Sequence, residues 1–265
     1  MRYRATILGC GSSGGVPRIG ANWGACDPSN PKNRRWRCSM LVERIGRPRY
    51  TTVLIDTSPD VREQLLSVRC AALDGVLYTH DHADHTHGID DLRMVAYAMK
   101  KRIDVWADEP TRQSLMGRFG YCFEKPPGSA YPPILDAHPI DAPTPIRVEG
   151  PSGAIEALPI PQLHGDIGTL GFRIGGLAYS PDLSGIPDDS VPLLQGLDVW
   201  IVDALRFTAH PSHFSVKQAL QWIDRLKPKR AILTHMTTDL DYEALRRELP
   251  PGVEPAYDGM VIEFD

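Results

Sequence analysis

The sequence predicts an α/β (α+β) protein, with layered sheets flanked by helices. Short β-type runs recur along the chain. Windows with helical spacing lie between them, and the two kinds of segment mix without a strict βαβ alternation. Taken in order, Thr6-Ile7-Leu8 leads into the glycine-rich stretch Gly9 to Gly15. Val53-Leu54-Ile55 leads into Asp56, and Val76-Leu77-Tyr78 into His80. Ala157-Leu158-Pro159-Ile160 runs towards His164, and Leu177-Ala178-Tyr179 towards Asp182. Trp200-Ile201-Val202 leads into Asp203, and Ala231-Ile232-Leu233 towards His235. β-branched and aromatic residues in runs this short favour strands. Helices are expected over Val61 to Val68, Leu92 to Lys101, Thr111 to Phe119, Val216 to Leu226 and Tyr242 to Glu248. In the fourth of these, Ala219, Leu220, Ile223 and Leu226 repeat at helical spacing and mark a face turned to the core. Residues 124–153 are rich in proline and glycine and show no periodicity, so a loop or lid is expected there.

Composition narrows the class. A chain of 265 residues, 42% hydrophobic and 23% charged, can bury a sizeable core, and it reads as a single domain over residues 1–265. A formal charge of -4 argues against stable nucleic-acid or acidic-membrane binding. No apolar run reaches the length of a membrane span. Cys10, Cys26, Cys38, Cys70 and Cys122 are odd in number and widely spaced, which suits free thiols in the cytoplasm.

Residues 79–88 read Thr-His-Asp-His-Ala-Asp-His-Thr-His-Gly, with four histidines and two aspartates inside eight residues. Imidazole and carboxylate together suit zinc and similar divalent ions. His80, His82, Asp84 and His85 cannot all reach one ion, because neighbouring side chains in a turn diverge. Two adjacent ions would use them, His80 and His82 on one, Asp84 and His85 on the other. Further ligands would come from strand ends, where His164, Asp182 and His235 stand.

These residues in this order resemble the metallo-β-lactamase superfamily, whose hallmark is His-x-His-x-Asp-His followed by a distant His, Asp and His. The resemblance implies an αββα four-layer sandwich with two divalent metal ions, zinc or manganese, at one edge of the paired sheets. It implies His80, His82 and His164 on one ion, Asp84, His85 and His235 on the other, and Asp182 bridging. It places Asp56 behind the metal loop as a support for its ligands. Within the superfamily the chain is similar to the PhnP-type cyclic phosphodiesterases. The matching stretches are Gly9 to Pro17, Arg37-Cys38-Ser39, Pro211-Ser212-His213 and Tyr257 to Met260. His213 matches a catalytic histidine of that group, and Asp84 is carried as catalytic as well as ligating. A structural zinc site with clustered cysteines, usual in PhnP-type enzymes, is not expected, because Cys26 stands alone and Met236 follows His235.

The expected function is hydrolysis of a small cyclic or nucleotide-like phosphodiester by a hydroxide bridging the metals, with His213 protonating the leaving oxygen. His210 competes with His213 for that role. Ser12 in the glycine-rich turn, Arg34 in the basic cluster Arg34, Arg35 and Arg37, and Tyr121 are candidate substrate contacts. His87 is expected beside the metal loop or on the surface, and His138 in a structural role. The alternatives are a tRNA 3′-processing-type endonuclease, a lactonase or thioesterase of the same fold, and a non-catalytic carrier. A homodimer is an expectation of the resemblance alone.

Overall fold

A computed structural model describes residues 2–265. The first sheet has the order β14-β1-β2-β3-β4-β5-β6. Its strands are β1 (Tyr3–Gly9), β2 (Ser39–Arg44), β3 (Thr51–Ile55), β4 (Gly75–Leu77), β5 (Ile103–Ala107), β6 (Leu135–Pro139) and β14 (Met260–Phe264). The second has the order β13-β12-β11-β10-β9-β8-β7. It contains β7 (Ile146–Val148), β8 (Ile155–His164), β9 (Ile167–Ile174), β10 (Leu177–Ser180), β11 (Val199–Asp203), β12 (Arg230–Thr234) and β13 (Val253–Pro255). The α-helices are α1 (Val61–Ser67), α2 (Ala83–Thr86), α3 (Leu92–Met99), α4 (Glu109–Phe123), α5 (Val216–Leu226) and α6 (Tyr242–Glu248).

The sheets face each other across one apolar layer. Ile7, Met40, Val42, Val53 and Ile55 of the first meet Phe172, Tyr179 and Ile201 of the second. The other face of the first sheet, through Leu41, Leu54 and Val76, packs against Val61 and Leu65 of α1, Leu92 and Val95 of α3 and Leu115 of α4. Val216, Ala219 and Leu226 of α5 and Leu245 of α6 pack with the second sheet. The result is the four-layer αββα sandwich expected from the sequence.

The helix boundaries follow their caps. Ser215 and Gln218 form a reciprocal capping box at the start of α5, and Lys227 ends it in the left-handed region at φ 50°. Asp108 caps α4 by accepting from the Thr111 N–H at 3.0 Å, and α4 continues to Phe123, four residues beyond the expected end, across a break at Phe119. α2, inside the histidine run, was not expected from the sequence; four residues carry too little periodicity to show.

Residues 124–153 correct an expectation. They are not a structureless lid, since they contain β6 and β7, which form the outer edges of the two sheets. β6 buries only Leu135 fully and ends in Pro139, and β7 has three residues alternating in, out, in. Edge strands this short need little apolar sequence, and proline is admissible where a sheet ends.

The segment Gly11 to Asn33 folds back over the loop after β12. Arg35, 2% exposed, anchors it: its guanidinium donates to the Thr237 carbonyl at 3.1 Å and the Leu240 carbonyl at 2.6 Å, with the Cys26 sulfur at 3.8 Å. Arg35 therefore braces the turn that carries His235. Arg35→Met should destabilise the fold by about 3 kcal/mol, because both carbonyls lose their donor while buried. A urea midpoint unchanged from wild type would remove Arg35 from this role.

Candidate metal centre

The parallel strands and β8 all end at one edge, so the residues that follow them converge. Asp56 follows β3, His80 follows β4, and His164 ends β8. Asp182 follows β10, Asp203 ends β11 and His235 follows β12. Asp56 and His235 turn the chain sharply at φ 62° and 57°. Non-glycine residues seldom adopt that conformation, and it recurs where side chains must be aimed.

All seven candidate ligands come together. The ligand atoms of His80, His82 and His164 lie within 4.8 Å of one another, and so do those of Asp84, His85, Asp182 and His235. Asp182 reaches both groups. Its Oδ1 is 3.0 Å from His85 Nε2, and its Oδ2 is 3.3 Å from His235, 3.9 Å from His164 and 4.0 Å from His80, each at Nε2.

Hydrogen bonds behind the cluster set the tautomers. Asp56 Oδ2 accepts from His85 Nδ1 at 2.7 Å and from the Thr79 hydroxyl at 2.8 Å, while Oδ1 accepts from the Thr79 N–H. The hydroxyl, having donated, accepts from His80 Nδ1 at 3.0 Å. The Ser212 carbonyl accepts from His164 Nδ1 at 2.5 Å. Three histidines thus have Nδ1 occupied and Nε2 turned to the centre, an arrangement that orients imidazoles for a cation. Asp56 sits where the sequence expected it, behind the ligand loop.

The charges agree with this. Burial keeps His80 well below its ordinary pKa and lowers His164 to about 4, so both are neutral with a free lone pair. Burial disfavours charge on His85 too, but the carboxylates of Asp182, Asp56 and Asp84 outweigh it and raise its pKa. Asp182 is held far below the carboxylate range against its own burial, by His235, His85 and His80. His80 Nε2, His85 Nε2, His235 Nε2 and Asp182 Oδ1 are all buried without a hydrogen-bond partner. Orphaned polar atoms cost about 1–3 kcal/mol each. Divalent cations among them would satisfy all four at once, so the residues fit a metal site.

His213 lies over the cluster, its ring centroid 4.6 Å from those of both His164 and His235. Its Nδ1 faces Asp203 Oδ2 at 2.8 Å. Asp203 is fully buried, and burial together with the charge of Asp182 raises its pKa. Sequence reasoning noted Asp203 as a strand end but gave it no role. The signal was its place directly after an apolar run, like that of Asp56 after Val53-Leu54-Ile55. Two further contacts were missed: Arg118 and Ser114 of α4 both bind the Asp81 carboxylate, at 3.1 and 2.7 Å, and tie that helix to the metal loop.

The candidate substrate contacts are scattered. Ser12 is buried beside the cluster, its N–H donating to the Met236 carbonyl at 3.2 Å. Arg34 lines a trough of about 750 Å³ on the outer face of the first sheet, with Arg4, Trp36, Glu43 and Arg49. Tyr121 lines another cavity with Arg93, Pro126 and Tyr131. Neither cavity contains a residue of the histidine cluster. Of the other basic residues, Arg35 is committed as described and Arg37 pairs with Asp60 at 2.5 Å. His87 is exposed and edge-on to Phe119, while His138 stacks on Trp106 and pairs with Asp104 at 2.7 Å.

Comparison with known proteins agrees with the geometry. A family model described as a beta-lactamase superfamily domain matches residues 51–236. The crystal structure of a diphosphatase from the PhnP family superposes with a TM-score of 0.89 and 37% identity, covering 100% of this chain and 98% of that one. Zinc-bound PqqB from Methylobacterium extorquens (TM-score 0.71, 18% identity, 98% and 99% covered) and the short form of human tRNase Z (0.65, 18%, 98% and 98%) share the fold. A curated octanoyltransferase of Porphyromonas gingivalis is 31% identical over 266 residues, 99% of this chain and 52% of that protein. The chain thus spans about half the length of that relative. Among the described residues no helix is long and apolar enough to cross a membrane. A complete His/Asp constellation at a strand-end edge, matched over the full chain by a relative at 37% identity, assigns this protein to the metallo-β-lactamase superfamily and, within it, to the PhnP family.

Proposed function

We propose that the chain is a metal-dependent phosphodiesterase-type hydrolase acting on small phosphodiester or nucleotide-like substrates. The observation that carries this is the convergence of seven His and Asp side chains on one edge, with His80 Nε2, His85 Nε2, His235 Nε2 and Asp182 Oδ1 buried and unpartnered. His80, His82 and His164 would hold one divalent ion, and Asp84, His85 and His235 a second, with Asp182 shared between them. Zinc and manganese both suit this donor set. The likeness to a PhnP-family diphosphatase supports a phosphorus ester as substrate. The shared apolar layer supports residues 1–265 acting as one unit.

The ions, when bound, supply positive charge for the phosphate oxygens and acidify water at neutral pH. The chain's own residues do the rest. Asp56, Thr79 and Ser212 hold the three imidazoles in one tautomer, so no reorganisation is needed as charge develops. His213, with Nδ1 engaged by Asp203, keeps Nε2 for the substrate. From there it delivers a proton to the departing oxygen, a contribution of about 10²–10⁴-fold in rate. Burial lowers the pKa of His213, which disfavours the imidazolium in the free site, while the negative charge of a bound phosphate favours it.

The test is turnover of a phosphodiester panel, cyclic nucleotides and aryl esters together, by protein of measured metal content. Fully metallated protein inert on the whole panel would overturn the reading. Stability offers an independent check. Each ion, at a free concentration of about 100 times its dissociation constant, stabilises by about 2.7 kcal/mol, so two stabilise by about 5 kcal/mol, about 10–20 °C in Tm for a chain of this size. Chelation followed by dialysis should lower Tm by that amount, and added zinc or manganese should restore it. A Tm indifferent to chelation would count against the metal.

A further inference from the structure

Asp81 stands between His80 and His82 but belongs to neither group of converging ligand atoms. Its backbone and its side chain are both gripped from outside the loop. Arg118 Nη1 donates to the Asp81 carbonyl at 2.7 Å, and Nη2 donates to the carboxylate at 3.1 Å. The Ser114 hydroxyl donates to the same carboxylate oxygen at 2.7 Å. Ser114 and Arg118 are four residues apart on α4, so they share one helix face. The helix that carries them is firmly seated. Asp108 caps its start, and Leu115, Cys122 and Phe123 are buried in the apolar layer beneath it. Phe119, at the break in α4, meets His87 edge-on with ring centroids 5.5 Å apart. α4 therefore holds the metal loop at both ends, at Asp81 before α2 and at His87 after it.

The ligand beside this grip has the least support of its own. Of the seven candidate ligands, His82 alone is exposed. His80, His85 and His164 are each held at Nδ1 by a hydrogen bond from behind. His82 instead turns Nδ1 towards His164 Nε2, at 3.3 Å, and among the described residues nothing bonds its Nε2. An imidazole with no partner behind it takes its aim from the backbone beneath it. The His82 carbonyl is held only from within the loop, by the Thr86 hydroxyl at 2.9 Å and the His85 N–H at 3.0 Å. The tie that reaches the adjoining backbone from another element is the grip on Asp81.

We propose that Arg118, assisted by Ser114, is a positioning residue for the ion of the His80, His82 and His164 group. It acts through Asp81 and the His82 backbone, and it touches neither ion nor substrate. This rests on the metal-dependent reading above. The grip serves aim rather than overall stability. The Arg118 side chain is 46% exposed and that of Asp81 32%, and ion pairs this open to water contribute little to folding. A guanidinium suits the task because its planar fork meets a carbonyl and a carboxylate together, whereas an ammonium is a single point of charge. Partners that orient a metal ligand from behind are worth about 10–100-fold in metal affinity.

The experiment titrates chelated and dialysed protein with zinc against a chromophoric chelator, for wild type, Arg118→Met, His82→Ala and the double variant. Arg118→Met should weaken one of the two equivalents of zinc by about 10-fold and leave the other within about twofold of wild type. In the His82→Ala background the same substitution should change neither, because the ligand it aims is gone. Ser114→Ala should act on the same equivalent, more weakly. The Tm of metal-free Arg118→Met should stay within about 2 °C of metal-free wild type. Equal weakening of both equivalents, weakening of neither, an undiminished effect in His82→Ala, or a larger fall in metal-free Tm would overturn the positioning role and leave the hydrolase reading standing. A wild type that takes up no zinc would overturn the metal-dependent reading and this proposal with it.

Discussion

Asp182→Ala is expected to lower turnover of every phosphodiester the wild type accepts by about 10³-fold or more, and to lower bound metal below the wild-type content. Asp182 lies within 4.0 Å of Nε2 atoms from both histidine groups, His80 and His164 on one side, His85 and His235 on the other. Its removal takes a negative charge from the point where the two groups meet. Electrostatic help from bound ions is worth several kcal/mol, and each 1.36 kcal/mol is about tenfold in rate. Asp182→Asn separates charge from shape: it keeps one ligating oxygen and the packing of a 2% exposed position. It should retain more metal than the alanine variant and still fall about 10²-fold or more in rate. Thermal melting of the chelated variants against chelated wild type guards against simple misfolding. An Asp182→Ala protein with wild-type metal content and wild-type rate would show that the cluster is not the reaction centre.

The sequence carried the centre because a metal site leaves two legible marks. One is local density: His80, His82, Asp84 and His85 fall within six residues, and few other pressures would gather them. The other is position, since His164, Asp182 and His235 each follow an apolar run. Strands that end at one edge bring such residues together, whatever lies between them in the chain. What supports the ligands left no such mark. Ser212 acts through its backbone, with the carbonyl on His164 and the N–H towards His210, and a backbone group has the same sequence signature everywhere. Thr79 acts through one hydroxyl, and Arg118 reaches Asp81 from 37 residues away. Arg34 misled for the complementary reason. Three arginines within four positions look like an anion site, yet the fold buries Arg35 under the β12 turn and pairs Arg37 with Asp60. Arg34 is left in a trough on the outer face of the first sheet. The strands missed were mostly edge or short ones such as β6, β7 and β13, where pairing with a neighbour outweighs weak local preference.

The second large effect concerns the His213–Asp203 pair, and it should depend on the leaving group. His213→Ala should slow diesters with a nucleoside leaving group by about 10²–10⁴-fold, the range for general acid help. It should slow para-nitrophenyl esters by about tenfold or less, because a phenolate that is stable near neutral pH needs little protonation. A uniform loss across leaving groups would mean that His213 positions substrate or metal and does not deliver the proton. Asp203 acts through His213 if the 2.8 Å bond to Nδ1 is its main connection, and the double variant then decides the matter. Asp203→Ala alone should reproduce much of the His213→Ala loss, and combining the two should add almost nothing. Residues that work as one unit are strongly non-additive. The rival account is that Asp203 steadies the metal cluster through His235, whose Nδ1 lies 4.0 Å from Asp203 Oδ1. That account predicts a fall in metal content for Asp203→Ala but not for His213→Ala, and losses that multiply in the double variant. The two distances favour the first account: 2.8 Å is a hydrogen bond and 4.0 Å is not. The Leu183 N–H, donating to the same Oδ2 at 3.1 Å, holds the carboxylate in the orientation that His213 uses.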